Sequence, residues 1–308
     1  MKYYEEPLVS VLMNCYNGSR YIKNAIESVI LQSYKNWELV IWDNQSTDNS
    51  LDIINLYKKK DKRIKCFVSK NHTDLGGGRA SAWKHLKGKY LAILDTDDLF
   101  KSDKLLKQVT FLEKNKDIGI CISNTEFFSS NQKKPLYKST PPIKEGIKTL
   151  IEKYYISLES ILLSLDYANS NNIAFDKRYS HIADFDLIVR ITLKAKLSYM
   201  DEILSAWRVD ESSQTWSNQE QFYYELINWT NDQFINKDFF KYKNSLRKLK
   251  TKSYLRLISE KILKKEFTEI KRIILKKKNI YLFCYTPLII IYFLKSYLNK
   301  INFKRKWN

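Results

Sequence analysis

Residues 8–43, LVSVLMNCYNGSRYIKNAIESVILQSYKNWELVIWD, decide the fold. LVSVLMNCY is an apolar run of strand length. SRYIKNAIESVILQ then repeats apolar residues at helical spacing, with Ile22, Ala25, Ile26, Val29 and Ile30 on one face. WELVIW reads as a second strand, and the unit repeats downstream. STDNSLDIINLYKK predicts a helix with Ser46 as its N-cap, IKCFVS a strand, GGRASAWKHL a helix opened by glycines, and YLAIL a fourth strand. This βαβαβαβ order implies an α/β protein with a mostly parallel, twisted sheet, wound right-handedly and flanked by helices. In such sheets ligands collect beyond the carboxyl ends of the strands. Three segment ends fall there: residues 14–17, 43–46 and 95–98.

LAILDTDDLF, residues 91–100, stops an apolar strand on Asp95, Asp97 and Asp98. Three carboxylates so close repel one another, and their ionised forms are costly in a partly buried place unless a cation shares it. The cluster asks for a metal, a hydrogen-bonded sugar or solvent. Asp, Asn and Ser are also ordinary turn residues after strands, so position alone does not make a site. GGGR at residues 76–79 lacks both the P-loop lysine pattern and GxGxxG, and is a weak phosphate cradle.

At 308 residues, 44% hydrophobic and 28% charged, the chain has ample core for one large α/β domain or two small ones and is too apolar for a disordered protein. Cys15, Cys66, Cys121 and Cys284 are scattered without CxxC spacing, and read as free thiols in a reducing cytosol. His72, His85 and His181 show no HxxxH or HExxH spacing, which argues against a zinc site. The apolar run in MKYYEEPLVSV is too short for a signal peptide.

Charge is concentrated at one end. Residues 237–308 carry 21 Lys and Arg against four acids, a net +17 of the chain's +19. Such a tail suits an anionic membrane surface or nucleic acid. The run from Ile280 to Leu294 is uncharged and follows Lys276, Lys277 and Lys278. As a helix it would reach roughly 22 Å, short of a ~30 Å hydrocarbon core, and Pro287 would kink it. The stretch suits a segment lying in or dipping into a membrane interface better than a span; the alternative is an apolar helix packed within the tail. Nucleic acid is the least favoured partner.

VSVLMNCYNGSRYIKNAIESVILQSYKNWELVIWDNQSTDNS, followed by LDTDD, resembles the nucleotide-binding half of the inverting family 2 glycosyltransferases of the GT-A fold. The likeness covers residues 7–128 closely and 155–215 more loosely, with four separated motifs in the expected order. It implies a GT-A domain over residues 1–215, with a nucleotide-sugar half at about 7–128 and an acceptor half at about 129–215. A basic helical region would follow over 216–308.

By this resemblance Asn14 and Tyr16 would hold the nucleotide base and ribose, with Asp43 and Asn44 at the turn after the second strand. The family usually has a second acid where Asn44 stands. An amide offers both a donor and an acceptor, which still fits uracil but less exclusively. Arg79 would approach the base or the diphosphate, and Asp95 the ribose or the metal's surroundings. Asp97 and Asp98 would hold a divalent ion, Mn²⁺ or Mg²⁺, as hard carboxylate donors prefer, and Asp97 is also a candidate for ribose.

FDKRYSHIADFDLIVRITLKAKLSYMDEILSAWRVDESSQT resembles the family's acceptor segment. Asp184 matches the aspartate that removes the acceptor hydroxyl proton, a base that an attacking alcohol requires. The glutamate that precedes it in the family is Ala183 here. Arg208, after Trp207, matches the loop near the diphosphate, and Asp210 replaces a histidine that sometimes binds the metal. Asp186 and Arg190 read as an i, i+4 structural pair.

The implied activity is metal-dependent, inverting transfer of a hexosyl or N-acetylhexosaminyl group from a nucleotide-sugar, UDP-linked by preference, to a glycan or lipid-linked acceptor. The implied setting is bacterial polysaccharide biosynthesis at the inner face of the cell membrane. The alternative, prompted by Ala183 and Asn44, is a weak or inactive GT-A protein that binds nucleotide, glycan or nucleic acid.

Overall fold

The computed structural model describes residues 6–129, 132–209 and 218–275. The chain divides into two compact units, residues 1–210 and 211–308.

The first unit opens with β1 (Val9–Cys15), α1 (Ile22–Ile30), β2 (Trp37–Asp43), α2 (Ser50–Lys60), β3 (Ile64–Val68), α3 (Leu75–Trp83) and β4 (Tyr90–Ile93). These strands are parallel and lie in the order β3-β2-β1-β4. All seven residues of β1 are buried, as the apolar run of a central parallel strand requires. α1 buries Ile22, Ala25, Ile26 and Val29 against this sheet, and Ile30 packs at the margin of the same core.

The parallel β3-β2-β1-β4 core is as expected, and beyond β4 antiparallel strands join it, so that the whole sheet is mixed. The further elements are β5 (Leu99–Phe100), α4 (Lys104–Lys114), β6 (Ile118–Phe128), β7 (Lys133–Pro135), α5 (Gly146–Glu152), β8 (Ile161–Ser164), α6 (Leu165–Ser170), α7 (Ala183–Thr192) and β9 (Lys196–Arg208). β8 runs antiparallel to both β4 and β6, while β6 and β9 run parallel. An antiparallel neighbour does not require the helical crossover that a parallel one does; β8 follows α5 and the single turn Leu158–Ser160. Its direction returns the residues just before it to the edge where β4 ends.

Ser46 does not cap α2, whose first residue is Ser50. The Ser46 hydroxyl instead accepts the Asn17 N–H at 3.0 Å, and Thr47 N–H donates to Asn17 Oδ1 at 2.8 Å. Gly18 N–H and Ser19 N–H reach Ser50 Oγ and Asp48 Oδ2, both at 2.9 Å. The loops after β1 and β2 are thereby stitched together, and each carries one left-handed residue, Asn17 and Gln45.

The second unit is helical over its described residues, with helices at Gln219–Ile235, Lys243–Leu263 and Phe267–Leu275. Trp229 and Phe239 are fully buried and meet edge to face at 5.5 Å. Lys261 pairs with Glu220 and Glu266, and Lys264 shares Glu220. Among the described residues no helix is long and apolar enough to cross a membrane. The 280–294 stretch lies outside the described residues.

Candidate active site

The carboxyl ends of β1, β2 and β4 lie side by side, and they carry Asn14, Asp43 and Asp95 to one edge. Asn14 and Asp43 are buried, and one oxygen of each, Asn14 Oδ1 and Asp43 Oδ1, has no hydrogen-bond partner. The other Asp43 oxygen accepts Ser46 N–H at 3.2 Å. Buried polar atoms are normally paired, so two orphans on one edge mark a place built for a polar ligand. Tyr16 stands open beside them, 43% exposed, its ring 4.4 Å from that of His72.

Asn44 takes a different place from that expected of a base-reading side chain. It is buried, with Nδ2 donating to Thr73 O at 2.6 Å and Oδ1 accepting Thr73 N–H and Oγ1–H, both at 3.1 Å. His72 Nδ1 donates to its carbonyl at 2.9 Å. The amide pins the 72–73 segment to the end of β2.

The glycines of α3 serve close packing. A Cβ on Gly76 would lie 1.8 Å from Tyr179 O, and one on Gly78 would lie 2.3 Å from Asn14 Oδ1. Asp74 caps the helix through Gly77 N–H. This approach sets Arg79, 4% exposed, beside Asp95, to which Nη2 donates twice, at 2.7 and 3.0 Å. Arg79 Nε is buried without a partner.

Asp97 and Asp98 follow on the same loop. Asp97 is half-buried; Asp98 is 2% exposed and accepts Arg208 N–H on Oδ1 at 2.9 Å. Arg208 Nε donates to the Asp97 carbonyl at 3.0 Å. Burial pushes the Asp98 carboxyl well above the usual carboxylate range; the neighbouring Glu159, Asp97 and Asp95 add to the rise, and the Arg208 N–H opposes it. Among the described residues no group of three His, Cys, Asp or Glu side chains is arranged to hold a metal. Asp97 and Asp98 supply hard oxygen donors, and their crowded charge is of the kind a divalent cation relieves. Asp210 lies outside the described residues.

Asp184 stands at the start of α7, and burial raises its carboxyl, the Arg79 charge opposing the rise. Arg79 therefore lies within electrostatic reach of both Asp95 and Asp184. Tyr154 is buried beside Asp184, and burial, with the Asp184 charge adding to it, holds its hydroxyl protonated. Ala183 is buried core and brings no polar group to the site. Asp186 pairs with Arg190 as the spacing predicts, and Arg190 also reaches Ala174 O at 2.6 Å.

Glu159 is a site neighbour that the sequence did not reveal. It lies in the single turn Leu158–Ser160 before β8, is 4% exposed, and takes a hydrogen bond from Ser157. Behind it Lys104 Nζ donates to Ile161 O at 2.9 Å, and Gln108 Nε2 to Ser160 O at 2.9 Å. Nothing in SLESILL marks such a role, because antiparallel entry of β8 creates it.

A twisted α/β sheet with carboxylates and arginines gathered on the parallel strands' carboxyl edge defines a protein of the GT-A fold. The sequence model described as "Glycosyl transferase family 2" matches residues 10–175, and the chain belongs to that family. An uncharacterized glycosyltransferase of Rickettsia felis is 31% identical over 239 residues, 74% of this chain but 38% of the relative. An Escherichia coli protein, "UDP-Glc:alpha-D-GlcNAc-diphosphoundecaprenol beta-1,3-glucosyltransferase WfgD", is 29% identical over 68% of this chain and 80% of its own length. Among solved structures, Staphylococcus aureus TarS 1-349 in complex with UDP-GlcNAc matches with a TM-score of 0.62 at 19% identity, covering 81% of this chain and 70% of TarS. Glycosyltransferases of this family commonly use a divalent metal.

Proposed function

We propose that the protein transfers a hexosyl or N-acetylhexosaminyl group from a UDP-sugar to a glycan or lipid-linked saccharide in bacterial polysaccharide biosynthesis, by single displacement with inversion. The observation that carries this reading is the convergence of Arg79, Asp95, Asp97, Asp98 and Arg208 at one strand edge, with Asp184 in the field of Arg79. The WfgD relative's name, with a UDP-sugar donor and a lipid diphosphate acceptor, supports the donor and acceptor classes.

Asn14, Tyr16 and Asp43 hold the nucleoside, and Asn44 keeps the 72–73 segment in place beside it. Asp97 and Asp98 would hold Mn²⁺ or Mg²⁺, with Asp210 the further ligand that the resemblance suggests, and the ion would neutralise charge on the leaving diphosphate. Arg208 donates to the diphosphate and Arg79 fixes Asp95 toward the ribose. Asp184 accepts the acceptor's hydroxyl proton as the new bond to the anomeric carbon forms and the bond from that carbon to the phosphate oxygen breaks. UDP departs with the electron pair. The basic residues of 237–308 hold the enzyme on the anionic inner face of the cell membrane.

The test is release of UDP from UDP-glucose and UDP-GlcNAc with Mn²⁺ and an undecaprenyl-diphosphate saccharide acceptor, in wild type and Asp184→Asn. Release that depends on acceptor and on Asp184 supports the reading. Tight nucleotide binding with no transfer to any acceptor favours the binding-protein alternative that the buried, apolar Ala183 keeps open.

A further inference from the structure

We propose that Tyr21 and Phe128 form an aromatic clamp that presents the Arg208 guanidinium to the terminal phosphate of a nucleoside diphosphate. The inference rests on the donor reading above and assigns positioning residues that it leaves out.

Arg208 Cζ lies 4.1 Å from the Tyr21 ring centroid and 4.4 Å from that of Phe128. Both distances are within the range where a ring's electron-rich face attracts a cation. Nε is tied to Asp97 O at 3.0 Å, and the backbone N–H to Asp98 Oδ1 at 2.9 Å. Arg208 is thus held at its backbone, at its Nε and by two rings, and neither Nη1 nor Nη2 donates to a described residue. Those two nitrogens form the fork that matches phosphate oxygens bidentately.

The holding groups come from distant parts of the chain. Tyr21 immediately precedes α1, Phe128 ends β6, and Asp97 and Asp98 follow β4. An arginine used only to cover a surface needs none of this. One that must bind an anion gains from it, because its rotamer freedom is already lost before the ligand arrives. Asp98 joins the two charges of the site: the carboxylate assigned to the cation also fixes the arginine assigned to the anion. Lysine could not replace Arg208 here, since it has neither the planar face for the rings nor an Nε for Asp97.

The test compares UDP and UMP affinities by calorimetry with Mn²⁺ in wild type, Tyr21→Leu, Phe128→Leu and Phe128→Trp; GDP and GMP replace them where the wild type prefers guanine. Each leucine variant should bind the diphosphate about tenfold more weakly, equivalent to ~1.4 kcal/mol, with the monophosphate unchanged. Phe128→Trp, which keeps a ring, should retain wild-type affinity for both. If Phe128→Leu does not fold, Tyr21→Leu and Phe128→Trp carry the comparison. Equal loss of both nucleotides, or loss of neither, overturns the clamp and leaves the donor reading intact. A wild-type protein that binds neither UDP nor GDP overturns the donor reading, and the clamp with it.

Discussion

Arg79 donates from a single nitrogen, Nη2, to both carboxylate oxygens of Asp95, at 2.7 and 3.0 Å. Arg79 is 4% exposed, whereas the Asp95 side chain is 37% exposed. A buried cation thus holds a half-open carboxylate, and the pair cannot be discounted as a surface ion pair. Arg79→Lys keeps the charge but loses the guanidinium that approaches Asp95. It should lower kcat/KM about tenfold, ~1.4 kcal/mol of transition-state stabilisation, while changing Tm little. Steady-state kinetics beside a melting curve checks this.

Asp184 carries the pH prediction for activity. Its carboxyl is raised by burial, with Arg79 opposing. A base must be ionised to act, so the acid limb of kcat/KM should fall at a pH above the ordinary aspartate value of about 3.9. Arg79→Gln removes the opposing charge and should move that limb to still higher pH. Asp184→Asn should lower kcat by about 10² to 10⁴ while leaving UDP affinity unchanged, which calorimetry reads separately.

Lys104 carries the pH prediction for stability. It is fully buried, and burial lowers its amine to about 7, Cys121 and Glu159 opposing the shift. The unfolded chain keeps this lysine protonated up to about pH 10.4, so between roughly pH 7 and 10 it binds more protons than the folded protein. Stability therefore rises with pH across that window as far as this residue is concerned. Tm of the wild type should gain at pH 9 over pH 7 relative to Lys104→Met, whose Tm lacks this contribution. An identical pH dependence of the two proteins contradicts the assignment.

Gly78 tests the packing that builds the site. A Cβ there lies 2.3 Å from Asn14 Oδ1. Gly78→Ala should cost about 1–3 kcal/mol in stability through overpacking and should weaken UDP binding, because Asn14 must move. Gly77→Ala meets Thr73 and Asp74 side chains at 3.0–3.2 Å and should be milder on both counts.

The parallel half of the fold was legible because its signals are local: apolar runs, helical spacing and polar strand ends that parallel topology carries to one edge. The acid cluster was legible for the same reason. Ser46 misled because a hydroxyl before a helical pattern looks like a cap, whereas this one serves the neighbouring loop. Lys104 looks like a solvated residue within KSDKLLKQV, and only the arrival of β8 buries it. Glu159 and the Tyr21–Arg208–Phe128 grouping were invisible because each depends on contacts between segments far apart in the chain. Asn44 occupies a motif position, yet its amide pins Thr73.

The most direct measurement is isothermal calorimetry of UDP binding with and without Mn²⁺, in wild type and Asp98→Ala. The account predicts Mn²⁺-dependent binding in the wild type that the variant loses. UDP binding that ignores Mn²⁺ and survives Asp98→Ala would contradict the assignment of nucleotide and cation to the acidic strand end.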